Sequence, residues 1–415
     1  MKIKRLIGRE GMPIIDLMAV IFFSVYYILP SANNALNIIY VLFLGFAYFG
    51  YVFIKDRATA TPFISIFIAV ACVAIAFALL TDTKTISVAA SNRELKHFFS
   101  KLSQYFFMYF PGLLVARTLK TASKEQKTMF TFLIVGLFSI VIYNTLQELR
   151  INPYAMREWE SFNELEDENI GNYYFVYAIP IVMLVISMCM TKLKAFSKII
   201  NAGMLVFLFY FLFEAKYTLA ILIAFVGFVL QVLISLKTIY TKIIFTVAVT
   251  VVAFFIPDIL LFISQNVDSI QVSIRFKELY SFFSSGDSSG YNLNGRFSLY
   301  MKSLEAFAQS PIIGNRNLDF DGHATCFTIL SDTGIIGSLP FYYLLFAMNR
   351  RTKALLGDKK LLFLPAFVCL LCMGFSNPIH SSLPLSFSVW FIVPLIIDTF
   401  INKEGGQRNW KRIGR

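Results

Sequence analysis

The chain has 415 residues, 57% of them hydrophobic and only 15% charged, against about 25% charged in an ordinary soluble domain. The deficit argues against a soluble globular enzyme, and unbroken apolar runs, rather than alternating ones, argue against a membrane β-barrel. The formal net charge of +12 is accounted for by basic loops facing anionic lipid; no basic, aromatic-interleaved module points to nucleic acid.

Met1–Gly11 is basic and precedes the apolar run Ile14–Pro30, which lacks a small-residue cleavage site and so reads as a first span, not a signal peptide. Eleven further stretches of spanning length follow, near 35–54, 62–80, 103–116, 128–147, 173–190, 198–213, 217–235, 243–264, 324–346, 361–377 and 383–401. The fourth carries Pro111 in its middle, and the seventh and eighth are joined only by Glu214-Ala215-Lys216. The expected fold is therefore an all-α polytopic transmembrane helical bundle of about 12 spans. It divides into spans one to nine over 1–264, a long extracytoplasmic loop over 265–323, and spans ten to twelve with a basic tail over 324–415.

The basic residues set an orientation. With the N-terminus in the cytoplasm, most of the 37 Lys and Arg residues fall on inner connections, among them Arg117, Lys120, Lys192, Lys237, Arg350 and Lys403. The outer connection over 148–172 is instead acidic. Both termini are expected to be cytoplasmic. Cys369 and Cys372 form a CxxC inside a predicted span. With no second ligand pair, they read as small buried apolar residues, and no metal or cofactor is expected.

The loop 265–323 is far longer than the other outer connections, and loops of this length are usually functional. Ser284–Gly295 reads as a flexible linker. Phe297–Gln309 reads as an amphipathic helix, with Phe297, Tyr300, Met301, Leu304, Phe307 and Ala308 on one face and Pro311 ending it. That face suits the membrane surface or the protein itself equally well. Ionisable residues at membrane depth are costly and often functional. Glu214 and Lys216 in a tight turn, Asp258 beside Pro257, Asp332 two turns into the tenth span, and His380 in the last outer turn stand out on that ground. Asp16 and Asp398 lie near inner ends and carry less weight. His323 closes the long loop, and Arg275, Arg296 and Arg316 offer guanidinium forks suited to phosphate oxygens.

The run Asn294-Gly295-Arg296-Phe297-Ser298-Leu299-Tyr300, then Ala306-Phe307, Ser310-Pro311-Ile312-Ile313-Gly314, His323, and Asp332-Thr333-Gly334-Ile335-Ile336-Gly337 resembles the shared core of bacterial O-antigen polymerases and O-antigen ligases. The resemblance implies a metal-independent glycosyltransferase using sugars carried on polyprenyl pyrophosphate at the outer face of the cytoplasmic membrane. By position, Arg296 and His323 match that family's loop Arg and His. Lys216 stands where an Arg is usual, Asp332 where Glu is common, and Asn315 where a second Gly is frequent.

A lipid-linked donor needs a basic outer pocket opening to lipid. In that chemistry Lys216 and Arg296 bind the pyrophosphate and stabilise its leaving charge, while His323 takes the proton from the attacking hydroxyl. Arg275, Arg316, His380, Glu214 and Asp332 are expected to contact pyrophosphate or glycan. The expected activity is that of a Wzy-type repeat-unit polymerase for capsule or O-antigen. A growing chain moves to a lipid-linked repeat unit, with a chain-length regulator as a possible partner. The alternatives are a ligase acting on another acceptor and a polysaccharide flippase; the absence of internal symmetry argues against the flippase.

Overall fold

The structure is a computed structural model. It describes residues 11–80, 93–152, 155, 167–190, 195–215, 217–267, 273–274, 276–277, 280–281, 291–315 and 324–401; of residues 93–94, 195–196, 218 and 291–297 it describes the backbone alone. The described residues are helical, in the order α1 Ile14–Ile28, α2 Ile38–Lys55, α3 Arg57–Leu80, α4 Arg93–Thr121, α5 Lys124–Ile151, α6 Tyr173–Met190, α7 Ala195–Glu214, α8 Thr218–Ser235, α9 Ile239–Phe254, α10 Ile256–Asn266, α11 Tyr291–Gln309, α12 Thr325–Leu356, α13 Leu364–Gly374 and α14 Leu383–Ile401.

Side-chain caps start several of these helices. Asn37 accepts from the Ile39 amide ahead of α2, and Ser123 and Gln126 form a reciprocal capping box ahead of α5. Pro257, which has no N–H to give, sits in the first turn of α10, where the α9–α10 pair bends by 50°. This leaves Asp258 exposed in the first turn of a new helix instead of buried inside a continuous span; that position also suits a carboxylate at a helix N-terminus.

Six helices (α2, α3, α5, α6, α7 and α14) are long and apolar enough to cross a membrane, or seven if the bent α9–α10 pair is one span. The chain has the character of an integral membrane protein. All twelve stretches read as spans lie on helix, but α1, α8 and α13 are shorter, α4 is less apolar, and α12 is broken at Gly334.

The centre of the bundle is α4, the least apolar of the helices read as spans. Its residues Tyr105–Phe110 and Leu113–Val115 are wholly buried, and the helix runs unbroken through Pro111. Around it pack α1, α2, α3, α12 and α14. Its aromatic rings pack against others from Phe23, Phe46, Phe67 and Trp390. The periphery is α7–α10: α9 has no buried residue at all.

One end of the bundle is tied by buried charge. Arg117 of α4 bonds Asp16 of α1 at 2.9 Å and Asp56, between α2 and α3, at 2.9 Å. Lys120 joins Asp56 at 2.7 Å, the Tyr48 hydroxyl donates to Asp16 at 3.0 Å, and Lys127 of α5 reaches Asp398 of α14 at 2.8 Å. Burial alone pushes the Asp56 carboxyl up, but hydrogen bonds from Lys120 and Thr59 and the Lys120 charge outweigh it and hold it below the usual carboxylate range. Asp16 and Asp398 are thus struts between helices.

Candidate functional site

At the other end, two segments of the Asn294–Gly337 run are hydrogen-bonded to each other. Helix α11 begins at Tyr291, earlier than Phe297, so the last five residues of the expected linker are helical. Its packed face centres on Ser303 and Ala306, small residues that admit α12 closely. Met301 and Leu304, on the apolar face read from the sequence, are exposed. The Tyr300 ring packs on Phe327 at 5.3 Å, and its hydroxyl donates to the Ser376 carbonyl at 3.3 Å.

After α11 the turn Ser310–Asn315 inserts into a break in α12. Gly334 has φ 60° and ψ −161°, which no helix accepts. The break frees backbone groups that would go unpaired at membrane depth. The turn pairs them: Ile335 N–H donates to the Pro311 carbonyl at 2.9 Å, Ile336 N–H to Ile312 at 3.1 Å, and Asn315 N–H to the Ser331 carbonyl at 2.7 Å. A Cβ on Gly334 would stand 2.5 Å from the Gly314 nitrogen, and Gly314 itself has φ 78°. Gly337 opens room for Thr333 and for Ala76 of α3, 3.2 Å from where its Cβ would be. Asp332 is buried at the break, and the Ser331 hydroxyl donates to it at 3.1 Å.

His380, read from the sequence as lying in an outer turn, sits in a short 3-10 turn over Ile379–Ser381. Its Nδ1 shares a hydrogen bond with the Thr325 hydroxyl at 3.1 Å, and its ring stacks on Tyr105 at 5.5 Å between centroids. Asn377 fastens the same corner, its carbonyl accepting from the Thr325 N–H at 3.2 Å. Burial, reinforced by the positive charge of Lys101, pushes the His380 imidazole down to about 3. A neutral imidazole can hydrogen-bond a sugar hydroxyl but supplies no charge to a pyrophosphate, which narrows the role expected of it.

Lys101, on α4 one turn before Tyr105, was not singled out by the sequence reading. Its ammonium lies 4.8 Å from the centre of the Phe77 ring and makes no ion pair with a described carboxylate. Asp332 and Lys101 nevertheless lie close enough for each to feel the other's charge. The signal in the sequence was a lysine just before the apolar run 103–116, with a tyrosine four residues on.

Of the other expected residues, Glu214 ends α7 half-buried. The next turn is linked to His380's: Tyr217 packs on Tyr177 at 6.0 Å, and near it in α6 the Tyr174 carbonyl accepts from Ser382 at 3.0 Å. Lys216, Arg275, Arg316 and His323 lie outside the described residues, and Arg296 is described by its backbone alone, in the second turn of α11. Of the expected residues, His380 stacks on Tyr105, and Asp332 lies near enough to act on the same side chain. No group of three His, Cys, Asp or Glu side chains suited to a metal occurs among the described residues. Cys369 is buried and Cys372 exposed.

No family model and no curated protein matches this sequence.

Proposed function

We propose that the chain is a polysaccharide repeat-unit polymerase of the bacterial cytoplasmic membrane, with twelve spans and both termini in the cytoplasm. It transfers a growing glycan from polyprenyl pyrophosphate to the non-reducing end of a lipid-linked repeat unit at the outer face. The acceptor hydroxyl oxygen bonds to the anomeric carbon, the bond from that carbon to the pyrophosphate breaks, and the hydroxyl proton passes to His323. Arg296 and Lys216 hold the departing pyrophosphate and offset its charge. The bond energy is already stored in the donor, so no nucleotide site is needed.

The observation that carries this reading is the joint between Ser310–Asn315 and Asp332–Gly337. The glycine-bearing segments on which the family resemblance rests, one in the turn after α11 and one inside α12, complete each other's backbone hydrogen bonds. The resemblance therefore follows a built element and not scattered similarity. The decisive experiment incubates purified protein with lipid-linked repeat unit. A ladder of products differing by one repeat is expected. A single transfer to a different acceptor makes the protein a ligase, and no turnover, with lipid-linked units moved across vesicles, makes it a transporter.

A further inference from the structure

Between α4 and the break in α12 stand a lysine and an aspartate that do not close on each other. Lys101 rests on the Phe77 ring, Asp332 takes its hydrogen bond from Ser331, and the two form no ion pair although each feels the other. The Tyr105 hydroxyl, on a side chain with no exposure at all, has no hydrogen-bond partner and also feels Asp332. A separated pair and an orphaned phenol at this depth are costly unless something bridges them.

The chemistry of the bridge follows from the inventory. A phosphate only accepts hydrogen bonds, so it suits Lys101 and Tyr105 but has nothing to donate to Asp332, whose Oδ1 acts as an acceptor toward Ser331. A sugar hydroxyl accepts from an ammonium or phenol and donates to a carboxylate at once. We infer that Lys101, Tyr105 and Asp332 form a seat for the hydroxyls of a saccharide ring, the acceptor repeat of the glycan. The source of that sugar rests on the polymerase reading; the seat itself rests on these three side chains.

The test uses the full-length protein in nanodiscs as wild type, Lys101→Met, Asp332→Asn and the double variant. The probe is the oligosaccharide repeat released by mild acid from the strain's own lipid-linked unit. Each single variant strands one group and is expected to lower the melting temperature, whereas the double variant strands no charge and is expected to recover it. A purely structural pair would recover sugar affinity along with stability. A sugar seat would not: the stable double variant binds the oligosaccharide at least about tenfold more weakly and raises the KM of the lipid-linked acceptor, with affinity for undecaprenyl diphosphate unchanged. If the double variant fails to fold, Tyr105→Phe serves in its place, since it removes only an unpartnered hydroxyl and is expected to keep the melting temperature while weakening the oligosaccharide. Wild-type oligosaccharide affinity in these variants, no binding by the wild type, or a loss confined to undecaprenyl diphosphate overturns the inference. Absence of polymer from the wild type removes the polymerase reading alone, because the oligosaccharide affinities still decide the seat.

Discussion

Gly334 and Gly314 meet backbone to backbone: a Cβ on Gly334 would lie 2.5 Å from the Gly314 amide nitrogen, and both residues have positive φ. Neither position can take a side chain without moving main chain that is itself hydrogen-bonded across the joint.

Gly334→Ala and Gly314→Ala are therefore expected to destabilise the protein by more than about 2 kcal/mol each, from left-handed backbone strain plus the clash. The control is Gly136→Ala in α5, where a Cβ meets nothing within 4 Å and helix propensity favours alanine by up to about 1 kcal/mol. Thermal unfolding in detergent compares the three. A Gly334→Ala protein as stable as the control would mean that the break in α12 is not needed by the fold.

That joint also shows how far the sequence could be read. Pro311 announced the end of α11, but 324–346 reads as one uninterrupted span, and nothing in its glycines says that the turn fills a break there, because a backbone hydrogen bond leaves no mark on side-chain identity. α4 illustrates a second limit. Hydropathy ranked it low because Lys96, Lys101, Arg117 and Lys120 flank a core of aromatic residues. Burial, which hydropathy does not measure, makes it the centre of the bundle. Helix positions, by contrast, were legible almost throughout, since apolar length alone decides them. On α11 the small Ser303 and Ala306 pack against α12, whereas Met301 and Leu304 stay exposed, on the side open to a membrane surface.

Arg117→Met tests the opposite end of the bundle. It leaves Asp16, with no side-chain exposure, facing no guanidinium, and it takes from Asp56 one of its two cations. Breaking such a pair costs about 3–5 kcal/mol, whereas replacing all of its members by neutral groups is often tolerated. Arg117→Met alone is expected to unfold at markedly lower temperature, and Arg117→Met with Asp16→Asn and Asp56→Asn to regain most of the loss. Equal melting temperatures for the single and triple variants would show that the charges are not coupled.

His380 predicts a pH dependence. Its imidazole titrates near 6.5 when unfolded and is pushed down to about 3 in the folded protein. Below pH 6.5 the unfolded chain binds a proton that the folded chain refuses. Stability therefore falls as pH drops from 6.5 toward 3, by at most about 1.4 kcal/mol per unit, and this group adds no slope above pH 7. Melting curves between pH 5 and 7.5 should show the decline; His97, which burial and Lys101 hold down to about 4, adds to it in the same direction, so His380→Gln should reduce the slope to about half. An unchanged slope in that variant would assign the decline to other groups.

The proposed chemistry stands or falls on three positions that act only through the substrate. Arg296→Ala, Lys216→Ala and His323→Ala are each expected to abolish chain growth at normal protein level, with lipid-linked repeat units still arriving at the outer face. The three should also separate. Removing a pyrophosphate partner weakens donor binding, so Arg296→Ala and Lys216→Ala raise the donor KM as well as lowering kcat. His323 acts on the acceptor proton in the transition state, so His323→Ala lowers kcat by about a hundredfold or more and leaves the donor KM in place. A pH–rate profile adds a readout that position alone cannot mimic, because losing the imidazole should remove the acidic limb of kcat. Polymer of normal length from His323→Ala would leave the hydroxyl without its assigned base and return the reaction to a group elsewhere on the outer face.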